Sequence, residues 1–391
     1  MKLRKVMVAV AAVALTVGMA SCKDDTAKGS ENDAKMMEIA TQFVDHTVIP
    51  TYSSLAKASQ ELVEALETLQ SSRTDANAKA AAEVFLEARA YWEKSEAFLF
   101  GAASDFGIDP HIDSWPLDED RFNYLMASDS MMNILSGEDA DVAAGESLGA
   151  TLLGFHGIEY ILFEEGQPKS ASKISDKEMI YAVAVAGDLR NCCYQLEVSW
   201  AGDKAPKDHI ELLEDLEWNY TVGGGNFSYG ENMKNAGKAG SVYLNPTNAL
   251  VSIVQGSIDI ADEVGTSKIG KPHTGTSDED IHYIESPYSW NSITDFANNI
   301  RSIQNVYMGG IEGQRDNSKS LYAFLQETNP DLASRVRLAI EKAIDEIAGE
   351  ANGMKFPFVN NRTDASAGEA MDACAEVSSI LEEVITAIES L

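Results

Sequence analysis

The stretch "GFHGIEYILF", residues 154–163, sets His156 and Glu159 three residues apart in a run that is otherwise apolar. On a helix both side chains share a face with Tyr160 and Phe163, while Phe155, Ile158 and Leu162 point into packing elsewhere. An ionised carboxylate in such company is costly unless it is paired or meets a cation, so the segment demands a partner. Gly154 and Gly157 sharpen the demand. Each costs about 1 kcal/mol in a helix relative to alanine, and glycine is kept where something approaches closely. The imidazole and carboxylate can ligate a metal ion, or they can satisfy one another in a buried hydrogen bond, helped by an arginine such as Arg89.

The elements that must position this pair are helices. "YSSLAKASQELVEALETLQSS", residues 52–72, puts Leu55, Leu62, Leu66 and Leu69 on one stripe. Similar patterns recur in "AKAAAEVFLEARAYWEKSEAFLFG", "EMIYAVAVAGDLRNCCYQLEVSW" and "AEVSSILEEVITAIESL", and strand-like alternation is hard to find. The expected fold is all-α, two helical-bundle domains of long antiparallel helices. Residues 35–220 would form the N-terminal bundle carrying the motif and residues 246–391 the C-terminal one. Between them, 221–245 is glycine-rich and reads as a connection, although a functional loop has the same composition. Asn245 can cap the next helix, with Pro246 at its first position. "EAFLFG" at 96–101 and "QNVYMG" at 304–309 both close an amphipathic helix with an aromatic turn and glycine, which suggests a distant internal duplication. Under that alignment Glu96 becomes Gln304.

"GFHGIEYILF" resembles the G-x-H-x-x-E signature of the imelysin-like family, bacterial envelope proteins also labelled peptidase family M75 and associated with iron uptake. "ARAYWEKSEAFLFG" (88–101), "HIDSWPLDEDRF" (111–122) and "ESPYSWNSITDFANNIRSIQNVYMG" (285–309) are similar to further segments of that family, in the expected order. The resemblance implies an all-helical, two-domain protein with its site where the domains meet, centred on His156 and Glu159. The residues themselves supply completing ligands. Glu96 follows Arg89 and Glu93 at helical spacing, beside Trp92, among "SEAFLF", and is the third expected ligand. Asp113, in a loop held by Pro110 and Pro116, suits a fixed carboxylate or a cap of the following helix. Trp115 is expected to pack an interface. One imidazole nitrogen with two or three carboxylates suits iron, zinc or manganese, and the hard oxygens favour ferric iron over copper(I). A single such motif gives no support to a symmetric di-metal centre.

The chain's 62 acidic and 30 basic residues give a net charge of −32, a field that repels phosphate backbones and attracts cations. Nucleic acid is therefore not an expected partner. Acidity alone would also keep a tethered protein soluble. Lys2, Arg4 and Lys5 precede an uncharged run from Val6 to Val17, too short to span a bilayer, and then "GMASC". Residues 1–21 thus resemble a lipoprotein signal peptide, cleaved before Cys22 with lipid attached to its sulfur. The alternative is an ordinary secretory signal with an incidental cysteine. Residues 22–34 read as a flexible tether to envelope or outer-membrane lipid, periplasmic or surface-exposed. Cys192, Cys193 and Cys374 show no C-x-x-C spacing, and an odd count argues against a disulfide framework.

Three functions fit these residues. The first is a lipid-anchored binding protein for iron or haem, working with iron-uptake proteins. The second is a metallopeptidase on the same site. Familiar helical zinc peptidases need H-E-x-x-H or H-x-x-E-H, and here Tyr160 stands where the inverted motif has its second histidine. The third is a helical surface-recognition protein with a purely structural His156 and Glu159. The binding protein is the expectation.

Overall fold

A computed structural model describes residues 22–391, with side chains from Glu31 onward. The expected signal peptide, 1–21, lies outside the described residues. The long helices are α1 (Cys22–Phe43), α2 (Ile49–Ser71) and α3 (Asp75–Glu93), then α4 (Ile108–Ile112), a short one that matters for the site, and α5 (Gly154–Leu162). They continue with α6 (Asp176–Ala201), the short α7 (Tyr229–Lys234), α8 (Pro246–Glu263), α9 (Ser292–Tyr307), α10 (Pro330–Ala348) and α11 (Ala365–Glu389), with further short helices between. Among the described residues strand is confined to a hairpin, β1 (Phe163–Glu164) with β2 (Gln167–Pro168), so the fold is all-α. Glu165 and Gly166 both take positive φ at its tip, the geometry that suits a two-residue hairpin turn. Strands of two residues are too short to leave an alternating pattern.

The local signals work as read. Leu55, Leu62, Leu66 and Leu69 are all fully buried along α2. Asn245 accepts from the Asn248 amide and Pro246 opens α8. A reciprocal capping box of Ser175 and Glu178 starts α6, which is buried almost all round and forms the axis of the first half. There α2 packs on α3 and α6; in the second half α8 and α10 pack on α11, and α9 packs on α10. The halves meet where α3 lies against α9 and α1 against α8, and one apolar core runs through both.

Three segments differ from their sequence reading. Residues 22–34, expected as a tether, are helical, the opening turns of α1; the stripe Met36, Ile39, Ala40, Phe43 buries the C-terminal part of that helix and the polar N-terminal residues extend it. The glycine-rich stretch carries α7, started by a Ser228–Glu231 capping box, and it buries Tyr229 and Met233. Helix α3 ends at Glu93, so Glu96 lies in a separate 3-10 turn, Glu96–Phe98. Ser95 turns the chain there by bonding back to the Trp92 carbonyl. The segment matched to it, Gln304–Tyr307, is by contrast the last turn of α9.

Cys192, Cys193 and Cys374 are free and buried. No helix among the described residues is long and apolar enough to cross a membrane.

Candidate metal centre

Helix α3 drives Arg89 and Glu93 into the junction of the two halves, both completely buried. At helical spacing of four they pair with each other, and Arg89 also pairs with Asp113 and Glu285, with Asp295 at 3.9 Å. Asp113 is the residue that ends α4, not a cap of the helix after it; Asp118 does that capping. Its other oxygen accepts from the Trp92 indole at 2.7 Å. His156 Nε2 lies 3.1 Å from Asp113 Oδ1, and Nδ1 lies 3.3 Å from Glu159 Oε2.

Glu159 looks the other way with Oε1. It accepts from the Tyr288 amide at 3.1 Å and from the amide and hydroxyl of Ser289 at 2.8 and 2.7 Å. The motif glutamate therefore clamps the turn ahead of α9, which carries Ser286 and Trp290 at positive φ. The glycines of the motif admit protein. A Cβ on Gly154, φ +67°, would fall 1.8 Å from the Ile112 carbonyl oxygen, and one on Gly157 would fall 2.1 Å from the Tyr181 hydroxyl. Gly154 thus lets the end of α4, and with it Asp113, come against His156. Trp115 lies against His156, ring centres 5.8 Å apart. Tyr160 is outside the cluster, packed on Phe122 and Tyr288.

A second cation completes the centre. Lys268, fully buried, ends a π turn (Val264–Lys268) that follows α8. Its Nζ lies 3.2 Å from Glu285, 3.6 Å from Glu96 and 3.7 Å from Glu93. Asp295 accepts from Ser286 and Asn291, and Glu93 accepts from Asn299. Six buried carboxylates (Glu93, Glu96, Asp113, Glu159, Glu285, Asp295) thus face three groups able to carry positive charge, Arg89, Lys268 and His156. Glu285 Oε2 is buried with no donor among the described residues.

Protons respond to this imbalance. Burial opposes charge on His156, but hydrogen bonds with Asp113 and Glu159 outweigh it and hold the imidazole at about 9. Burial would raise Asp113, yet the Arg89 guanidinium and His156 bring it well below the usual carboxylate range. Glu285 is pushed up to about 7 by burial, against the pull of Lys268. Burial likewise raises Glu96 and Asp295. Arg89 and Lys268 stay firmly charged because the surrounding carboxylates overcome the cost of burying them.

Two groups in this centre have ligand atoms within 4.8 Å of one another: Asp113, His156, Glu285, and Glu93, Glu96, Asp113. The structure thus brings His156, Asp113 and Glu96 into one cluster, with Glu159 at its edge holding His156 and the turn. Three members escaped the sequence reading. Asp295 belongs to a polar stripe with Asn299 and Ser302 on α9, a helical spacing that was there to be noticed. Glu285 and Lys268 lie in turns without period and left no comparable signal. A third ligand group, His111, Asp188 and Cys192, lies apart, with His111 Nε2 2.8 Å from Asp188.

Comparison with known proteins agrees with this architecture. Iron-regulated protein A of Synechococcus elongatus is 29% identical over 348 residues, covering 88% of this chain and 84% of that protein. The crystal structure of an iron-regulated protein A precursor from Parabacteroides distasonis superposes with a TM-score of 0.75 at 29% identity, covering 91% of this chain and 95% of the other. An imelysin-like protein from Psychrobacter arcticum shares the fold, TM-score 0.58 at 15% identity, over 89% and 93%. The family model of imelysin, Peptidase M75, matches residues 48–384, and the chain belongs to the imelysin family.

Proposed function

We propose that this protein is an envelope component of iron handling that captures or relays a single metal ion at the buried cluster. The observation that carries the reading is the surplus of carboxylates over cations there, together with the unpaired Glu285 Oε2. A buried excess of negative charge is settled either by protons or by a cation. Asp113, His156 and Glu285 would be the principal ligands, with Glu96 and Glu93 grouped round the same Asp113. Glu159 would orient the imidazole from behind, the usual part of a carboxylate bonded to a ligating histidine. Oxygen-rich donors with one imidazole suit iron, zinc or manganese, and the names of two relatives put iron first. His156 is 2% exposed with both ring nitrogens facing carboxylates, which suits a lone ion better than a haem axial bond. Attachment through a lipidated Cys22 would place the site at the outer membrane, and the acidic surface would draw cations to it.

Binding fits this site better than peptide hydrolysis. Glu159 Oε1 is held by three donors and is not free to act as a general base. The other histidines lie elsewhere: His111 on Asp188, His209 on Glu197, His273 on the Arg362 carbonyl, His282 on the Asp278 carbonyl, and His46 beside the Gly309–Ile311 turn.

The test is elemental analysis and metal titration of protein purified without chelator. Wild type should retain close to one ion per chain, and His156→Ala and Asp113→Asn should weaken binding by about 10-fold to 100-fold or more. Wild-type protein that takes up neither iron, zinc nor manganese would remove the proposal.

A further inference from the structure

A different face of α3 and α9 lines an open pocket of about 470 Å³. Lys94, next after Glu93, and Arg301, two residues on from Asn299, reach it together with Arg315 of the following loop. All three are half-buried, and none forms an ion pair with a carboxylate among the described residues. In a chain with twice as many acids as bases, three cations gathered round one carboxylate in a single pocket run against composition. Glu312 is the pocket's carboxylate.

The neutral side chains point to the same ligand. Asn298 Oδ1 accepts from Arg301 at 3.1 Å, while Gln304 Oε1 and Asn305 Oδ1 accept from Arg315 at 3.1 and 3.2 Å. With each amide oxygen taken by an arginine, the NH₂ ends are left as donors, and none of them has a protein acceptor among the described residues. The pocket is thus rich in donors and poor in acceptors. We propose that it binds a small anion bearing carboxylate or phosphate groups, read by Lys94, Arg301 and Arg315 with the amide donors of Asn298, Gln304 and Asn305. Guanidinium forks match both oxyanions, and the volume is that of a small-molecule site. Burial lowers Lys94, with Arg301 adding to it, and burial lowers Arg301; an arriving anion would relieve both. The proposal is independent of the metal reading.

The experiment is calorimetric titration of metal-free, full-length folded protein with citrate and with inorganic phosphate at low ionic strength. At least one should bind saturably with one site per chain; preference for citrate identifies a polycarboxylate, preference for phosphate a phosphate-bearing ligand. Lys94→Gln and Arg301→Gln should each weaken binding about tenfold. Glu312→Gln should tighten it, and His156→Ala should leave it unchanged. Should Arg301→Gln fail to fold, Lys94→Gln and Glu312→Gln still decide, because they move affinity in opposite directions. Binding of neither probe by wild type, or wild-type affinity in Lys94→Gln, would overturn the proposal.

Discussion

Two faces of the same helix pair carry opposite charge problems. On the buried face, Arg89, Glu93, Asp295 and Asn299 join a cluster in which acids outnumber cations, and Arg89 alone ties Glu93, Asp113 and Glu285 together. On the open face, Lys94, Arg301 and Arg315 stand around a pocket without ion pairs among the described residues. The difference follows from water. Where it is excluded, unpaired charge is too costly to persist, so carboxylates are drawn round each cation and the remainder take protons or a metal ion. Where water reaches the group, solvent and salt screen the repulsion and cations can remain unpaired. Mutations should therefore act on stability at the buried face and mainly on binding at the open one.

The strongest challenge to that division is Arg89→Met. It leaves Asp113, Glu93 and Glu285 without the guanidinium while keeping apolar bulk beside Phe155. Breaking a buried charge network by removing one partner costs about 3–5 kcal/mol, and a loss of that size is expected in chemical unfolding. A loss below about 1 kcal/mol would show that the carboxylates simply take up protons and that Arg89 does not hold the halves together.

How much of this was legible depends on the range of the interaction that sets it. The leucine stripe of α2, the Asn245–Pro246 start of α8 and the titratable pair at His156 and Glu159 are local patterns, and local patterns survive in the sequence. Asp113 was legible as a fixed carboxylate but not in its orientation, because Arg89, Trp92 and His156 reach it from two other helices. Glu96 was legible as a buried acid but not as part of a 3-10 turn, since a seven-residue spacing continues a helical pattern past the point where Ser95 breaks the backbone. Lys268 and Glu285 were not legible at all. Arg89 and Glu285 are 196 residues apart, and nothing around either records a pairing that only the docking of two halves creates.

The pH dependence of the metal-free protein sharpens the comparison. Glu285, raised from 4.5 to about 7, and His156, raised from 6.5 to about 9, each hold a proton in the folded state that the unfolded chain has already lost. Their contribution is fully present below the unfolded values and is lost as pH climbs through the folded ones. Stability should therefore fall between about pH 5 and pH 9, by about 3 kcal/mol for the His156 step alone. Asp113, depressed, acts in the opposite sense and sets an acid limb below its ordinary value. Unfolding at a series of pH values measures this, and Glu285→Gln should make the part between about pH 4.5 and 7 shallower, with Glu96 and Asp295 still contributing. A stability that rises across the whole interval would mean the buried acids are already settled without protons.

The smallest expected effect tests the open face. Among the described residues Arg301 keeps one hydrogen bond to protein, to Asn298, and no ion pair with a carboxylate. Arg301→Gln removes a partly desolvated charge that repels Lys94 and attracts Glu312, so the lost hydrogen bond and lost attraction should nearly cancel against relieved burial and repulsion. Unfolding free energy should stay within about 0.5 kcal/mol of wild type, as for surface substitutions in general. The same variant should lose most of its anion affinity, and that dissociation of binding from stability is the mark of a site not needed for the fold. If Arg301→Gln instead costs 2 kcal/mol or more, on the order of a buried polar network, the arginine supports α9 through Asn298 and the contrast between the two faces fails.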